Sequence, residues 1–232
     1  MIKDNKCIIL ANGKPPAKSV LSFLTNRGYS ILICADGGAN SAKKLNVLPN
    51  YIIGDLDSIT NNTLKYYTER SEIIKIKRQN DTDVEKCIKF AIKKKLNDIV
   101  LVGVTGDRLD HTFCNLGIVL KFSHLAKIRM IAENSFLTPF SGNVHIKTCS
   151  GETISLYGFD SRTRIISEGL YYPLKNISLH FGVKESTSNI ATGEIVKLKI
   201  TPPAIISFTI SPVAMLLVLS FTPKCNEIFF NG

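Results

Sequence analysis

The sequence predicts an α/β protein in which an N-terminal, mostly parallel sheet flanked by helices is followed by a C-terminal antiparallel β-sandwich. Through about residue 140, short apolar runs alternate with helix-periodic stretches, the rhythm of a parallel sheet covered by helices. Beyond it, helical periodicity fades and short β-rich runs recur between turn residues, which suits an antiparallel sandwich or small barrel. Pro139 and Gly142 punctuate the chain between these styles, so the expected boundary lies near Phe140 to Asn143, giving domains at 1–140 and 141–232.

Taken in order, the first-half strand candidates are residues 7–10, 31–35, 51–53, 73–76, 99–104 and 128–131. The clearest helix opens near Thr82. Thr82 and Glu85 stand at capping-box spacing, and Val84, Cys87, Ile88, Ala91 and Ile92 recur at helical intervals. In the second half the candidates are 153–157, 164–166, 177–181, 195–200, 205–210 and 215–221. There is no internal repeat and no low-complexity linker.

A chain of 232 residues with 44% hydrophobic residues can bury a sizeable core. The short apolar run 8–10 is followed at once by Asn12, Gly13 and two prolines, unlike a secretory signal, so a cytoplasmic location is expected. The longest apolar run, 213–219, is far below the ~20 residues that span a bilayer and reads as a buried strand, so no membrane partner is expected. Six cysteines without C-x-x-C spacing suggest neither a zinc site nor a disulfide framework, and free thiols are expected. Of the histidines, only His111 sits in a suggestive polar neighbourhood. The net charge of +10 fits a polyanionic partner: nucleic acid, an acidic membrane surface or a nucleotide triphosphate. Its runs, Lys75, Lys77 and Arg78 and Lys93 to Lys95, resemble a solvated surface, and no nucleic-acid reader motif accompanies them.

Polar residues gather where the parallel strands should end, the place where open α/β sheets bind ligands. In Ala35-Asp36-Gly37-Gly38-Ala39-Asn40 the paired glycines either let backbone N–H groups approach a phosphate or simply make a tight strand-to-helix turn. In Gly54-Asp55-Leu56-Asp57-Ser58, residues two apart in extended chain face one side, so Asp55 and Asp57 can present two carboxylates to one Mg²⁺; the alternative is a solvated turn with Asp57 or Ser58 as a helix cap. Asp83, in the first turn of the capped helix, is either a third metal ligand or a compensator of the helix dipole. In the run from Gly103 to His111, Arg108 offers a planar fork for phosphate and Asp110 can accept hydrogen bonds or orient His111; the plainer reading is a surface Arg-Asp pair. No P-loop, G-x-S-x-G or Cys-His arrangement occurs, so metal-assisted phosphoryl chemistry is the best account of these clusters.

In order along the chain, Asn12-Gly13, ADGGAN, IIGDLDS, QNDTDVEK, GDRLDH and SNIATGEIV resemble the thiamine pyrophosphokinase family. That resemblance implies an N-terminal ATP-binding domain, a C-terminal β-sandwich contributing to the thiamine site, and a homodimer with active sites between subunits. It places Mg²⁺ on Asp55, Asp57 and Asp83, and Gln79 beside the reacting phosphates and thiamine. Asp36, Gly37, Gly38, Asn40 and Thr82 would lie along ATP and the metal site, with Arg108, Asp110, His111 and Asn115 completing the nucleotide pocket. Ser188 and Asn189 match the pair that meets the thiamine pyrimidine; without the resemblance, Thr187-Ser188-Asn189 reads as a turn between strands. The chain departs from the family pattern at Asp107, Leu56 and Ile190. The implied reaction moves the terminal diphosphate of ATP onto the thiamine hydroxyl. The rival readings are a pyrophosphokinase for another small alcohol, such as a hydroxymethylpterin, and a non-catalytic nucleotide-binding regulator.

Overall fold

The computed structural model describes residues 5–77, 80–106, 108–209 and 228–229. Gln79, Asp107 and the expected strand at 215–221 lie outside the described residues, as does residue 210, the end of the run 205–210. The chain divides into two compact units, Met1–Ala132 and Glu133–Gly232.

The first unit is built on β1 (Lys6–Leu10), β2 (Ile31–Ala35), β3 (Tyr51–Gly54), β4 (Glu72–Lys75), β5 (Asp98–Val102) and β6 (Lys127–Ile131). All pair in parallel, in the order β6-β5-β1-β2-β3-β4. Between them run α1 (Lys18–Asn26), α2 (Gly38–Lys44), α3 (Asn61–Tyr67) and α4 (Asp83–Lys93), and α5 (Leu109–Phe122) links β5 to β6. Cys7 to Leu10 and Ile99 to Val102 are buried without a break because these central strands have helices over both faces. β4 ends the sheet, and accordingly carries Glu72 and Lys75 exposed on either side of two half-buried isoleucines. From β1 the chain moves outward through β2 to β4, then returns to place β5 on the other side of β1. That reversal opens a crevice at the carboxyl ends of β1 and β5.

α4 starts where its cap spacing predicts. Thr82 Oγ1 accepts from Glu85 N at 3.2 Å, and Cys87, Ile88 and Ala91 are fully buried along one helical face. Only half of the capping box forms, because the Glu85 carboxylate accepts instead from Lys89 and Lys121, at 2.8 and 2.7 Å. α2 begins hard against β1: a Cβ built on Gly38 would lie 2.1 Å from the Leu10 carbonyl oxygen.

The second unit is antiparallel throughout, with β7 (Ser135–Lys147), β8 (Thr153–Gly158), β9 (Arg164–Glu168), β10 (Ile177–Ser178), β11 (Ser186–Ile190), β12 (Ile195–Thr209) and β13 (Ile228–Phe229). β7 and β12 form one long ribbon whose register shifts between Ile200 and Ala204. On its other edge β12 pairs with β9 over Lys197 to Thr201 and with β8 over Ala204 to Phe208. The change of neighbour falls at Pro202-Pro203, which have no N–H to offer a ladder, just past the pairing of Ile200 with Gly142 at φ +81°. The ribbon therefore turns a corner and passes from one layer to another.

This corner explains what the sequence suggested differently. Residues 195–200 and 205–209 belong to one bent strand, and Pro139 and Gly142 lie inside β7. Thr187-Ser188-Asn189 is not a free turn but a bulged part of β11, with Ser188 at φ +56° and β8 as partner. The run 177–181 shortens to the two residues of β10, with His180 bridging to Lys184. Cys7, Cys34, Cys87 and Cys114 are free thiols, whereas Cys149 is disulfide-bonded, a pairing that spacing arithmetic cannot reveal. No helix among the described residues is long and apolar enough to cross a membrane.

Gly38→Ala should lower stability by about 1–3 kcal/mol, because the new methyl meets backbone that cannot rotate away. Urea unfolding of variant and wild type measures the loss; an unchanged midpoint would refute the close approach of α2 to β1.

Candidate active site

The strand ends of the first unit surround a cleft of about 220 Å³. Asn12 and Gly13 enter it after β1, Asp36 and Gly37 after β2, Ser58 after β3, and Gly103 and Val104 after β5. Thr82 and Asp83 come from the start of α4, and Arg108, His111, Cys114 and Asn115 from α5 and its cap.

One wall is acidic. Asp36 is only 2% exposed and sits at φ +40°, held by its N–H donating to Ile53 O at 2.9 Å. Its Oδ2 accepts from Ser58 N at 2.9 Å, while Oδ1 is buried with no hydrogen-bond partner. Asp55 and Asp57 face the same point: oxygens of Asp36, Asp55 and Asp57 all lie within 4.8 Å of one another. Asp55 and Asp57 converge as their spacing predicts, but extended-chain alternation is not the cause. Leu56 adopts φ +67°, and the resulting turn lets Asp57 N donate to Asp55 Oδ1 at 3.3 Å.

Asp83, the first residue of α4, bonds Lys86 Nζ at 2.8 Å, and this lysine is almost wholly buried. Asp83 also reaches the acidic wall, because a Cβ on Gly54 would lie 3.1 Å from Asp83 Oδ1 and 2.7 Å from Asp36 Cβ. Only a residue without a side chain permits that approach. The sequence reading assigned no role to Gly54 or Lys86 and did not count Asp36 among the metal carboxylates. The signals were a glycine ending a strand and a lysine three residues beyond Asp83.

The electrostatics are uneven across this group. Burial pushes the Asp36 carboxyl above its ordinary range, partly offset by the Ser58 N–H and reinforced by the charge of Asp83. Asp57, on the open side, is held below its ordinary range chiefly by the Ser58 hydroxyl, with help from its carboxyl neighbours and Lys86.

The remaining candidates divide by whether their polar groups are already engaged. Asn40 donates to Ser58 O at 2.9 Å and accepts from Thr60 N at 3.1 Å, tying α2 to the loop that carries Asp57. Asn115 donates to Val104 O at 2.9 Å and fixes the loop after β5. Arg108 is exposed and folded onto Asp110, with Nη2 2.6 Å from Oδ2 and Nε 3.1 Å from Oδ1, which keeps the Asp110 carboxyl below its usual range. In the second unit Asn189 is buried, accepting from Tyr172 N at 3.0 Å and donating to Tyr172 O at 2.8 Å. Its amide thus secures the exposed Tyr171-Tyr172 pair, while Ser188 N donates to Ser155 Oγ at 3.0 Å.

Residues 24–132 match the family model described as thiamin pyrophosphokinase, catalytic domain, and residues 143–205 match thiamin pyrophosphokinase, vitamin B1 binding domain. Thiamine pyrophosphokinase 3 of Oryza sativa subsp. japonica is 31% identical over 211 residues, covering 78% of each chain. Thiamin pyrophosphokinase 1 of Caenorhabditis elegans is 28% identical over 216 residues, or 87% of each. Among solved structures, thiamin pyrophosphokinase from Candida albicans superposes with a TM-score of 0.79 over 89% of each chain at 19% identity, a likeness of fold. These matches run through both compact units, and on them the chain belongs to the thiamine pyrophosphokinase family.

Proposed function

We propose that the protein transfers the terminal diphosphate of ATP to the hydroxyl of thiamine, yielding thiamine diphosphate and AMP. The observation that carries this reading is the set of Asp36, Asp55 and Asp57 oxygens within 4.8 Å of one another, with Asp36 lining the strand-end cleft of the segment matched as catalytic. Family membership favours thiamine over another alcohol and an enzyme over a passive regulator. The N-terminal unit would bind ATP, and the C-terminal unit would contribute to the thiamine site through the region of Ser188 and Asn189. The working form is a homodimer, as the family resemblance implies.

The residues present fit a magnesium ion. The donors are all hard carboxylate oxygens, and Asp36 Oδ1 is a buried acceptor that lacks a partner. Asp36, Asp55 and Asp57 would hold the ion, with Asp83 beside them. When bound, Mg²⁺ neutralises charge on the phosphate oxygens of the nucleotide. In the transfer, a bond forms between the thiamine oxygen and the β-phosphorus, the bridge to the α-phosphate breaks, and AMP leaves while the hydroxyl proton passes to solvent. The family resemblance gives Gln79 the role of aligning the reacting groups. Arg108 exchanges Asp110 for a phosphate oxygen, a swap that costs little between two exposed partners.

Incubation with ATP, Mg²⁺ and thiamine should release AMP and thiamine diphosphate in equal amounts; AMP without the diphosphate product would refute the acceptor. Asp57→Ala should lower kcat by about 10²–10³-fold or more with the circular dichroism spectrum unchanged, since the Asp57 side chain is exposed.

Asp36→Asn should act on stability in the opposite direction from most substitutions of buried groups. A carboxyl whose folded pKa is raised above 3.8 loses stabilisation as pH rises through that raised value, so at neutral pH the ionised Asp36 is a burden on the fold. In divalent-free buffer at pH 7 the amide variant should therefore melt higher than wild type, and the further rise that Mg²⁺ gives the wild type should disappear. A lower melting point in chelator would contradict the assignment.

A further inference from the structure

Asn12 has no part in the chemistry just described, yet it is presented to the cleft from a fixed backbone. Ala11 N donates to Val102 O at 2.9 Å, Gly13 N to Gly103 O at 2.7 Å and Lys14 N to Thr105 O at 2.8 Å, so the turn after β1 is laced to the loop after β5 across the crevice. Gly13 cannot move aside for a side chain of its own, because a Cβ there would sit 2.6 Å from both the Gly103 and the Thr105 carbonyl oxygens. From this fixed backbone the Asn12 amide lies against the Gly37 backbone: a Cβ on Gly37 would be 2.5 Å from Asn12 Cγ and Nδ2 and 2.7 Å from Oδ1.

Asn40, Asn115 and Asn189 each use their amide on the protein itself, with backbone partners. Asn12 is exposed, lines the cleft, and makes no side-chain hydrogen bond with any described residue. A polar group that is held in place and unengaged is preorganised for a ligand, since little side-chain freedom is lost on binding. Its neighbour in the cleft is Asp36, on the residue adjoining Gly37, so the portion of a nucleotide nearest Asn12 is the portion nearest the carboxylates, which is the phosphate chain. An amide Nδ2 can donate there without adding a charge beside the acidic wall.

We propose that Asn12 is a further nucleotide-binding residue, whose Nδ2 donates to a phosphate oxygen of ATP. The assignment rests on ATP occupying this cleft. It is tested by titrating ATP with Mg²⁺ into wild-type, Asn12→Ala and Asn12→Asp proteins, alongside steady-state kinetics. Asn12→Ala should weaken ATP binding about tenfold, the loss of one hydrogen bond to a charged group. Asn12→Asp, which keeps the shape and reverses the electrostatics, should weaken it further. KM for thiamine and the melting temperature should stay as in wild type, which separates a ligand contact from a packing role. Equal ATP affinity in all three proteins overturns the proposal while leaving the diphosphotransferase reading intact. So does a parallel rise in KM for both substrates, or a variant that binds GTP in preference to ATP, which would put Asn12 on the base. A wild type that binds no ATP removes both readings together.

Discussion

A carboxylate taken almost out of water with one oxygen bare is the constraint around which the catalytic unit is arranged. Asp36 keeps Oδ1 buried and unpartnered while Oδ2 accepts from the Ser58 N–H. Leaving such a group unsatisfied costs free energy that a purely structural residue would avoid. The surroundings show how the fold tolerates it. Asp36 is fixed by its own backbone bond to Ile53, Gly54 leaves room for Asp83 to approach, and the buried ammonium of Lys86 supplies positive charge on the far side of Asp83. The outcome is an acidic pocket with too few protein cations to balance it, in a chain whose overall charge is +10. Strain and unpaired polarity concentrated at a strand-end cleft, with a well-packed sheet beneath, are what a binding site requires and a stable fold otherwise excludes.

The second unit meets a different demand. Its long ribbon of β7 and β12 must bury apolar side chains on two layers, and a continuous ladder could not bend sharply enough to do so. Pro202-Pro203 interrupt the hydrogen bonding of β12 while Gly142, paired with Ile200 just before them, relieves β7, so both strands turn together. Residues on either side of the break remain buried, from Val196, Leu198 and Ile200 to Ala204, Ile205 and Ile206. The bulge in β11 follows similar logic on a smaller scale: it swings the Asn189 amide inward to hold the Tyr171-Tyr172 backbone and leaves those two rings exposed.

How much of this was legible in the sequence depended on whether the determining contacts were local. The parallel strands and α4 could be read because apolar periodicity and the Thr82 cap act over a few residues. β7 and β12 could not be delimited, because proline and glycine mark a bend inside a paired ribbon as readily as a boundary between domains. The closeness of Asp55 and Asp57 was legible from their spacing, although the left-handed Leu56 rather than strand alternation produces it. The addition of Asp36 was not, since it follows from the pairing of β2 with β3, where Ala35 stands beside Ile53 and the two strand ends are thereby brought level. Nor does sequence distinguish an asparagine engaged with backbone from one left open; Asn40 and Asn12 differ only in what the fold brings next to them.

The two walls of the cleft, taken together, account for an apparent conflict between a basic protein and an acidic site. Long-range attraction of a polyanion depends on the summed charge, and 29 basic against 19 acidic residues provide it. At contact distance the local groups decide. Asp36, Asp55 and Asp57 repel a bare triphosphate and favour a cation, while Asn12, against Gly37, and the Arg108 fork offer donors to phosphate oxygens. A ligand satisfying both walls must carry negative charge in one part and a compensating cation in another. Nucleic acid would satisfy the surface field and fail at the acidic wall, and an isolated divalent ion would satisfy that wall and leave the Asn12 amide unused. A nucleotide triphosphate with its divalent ion meets both requirements, and the division of the cleft into an acidic and a donor wall is the physical reason to expect that ligand.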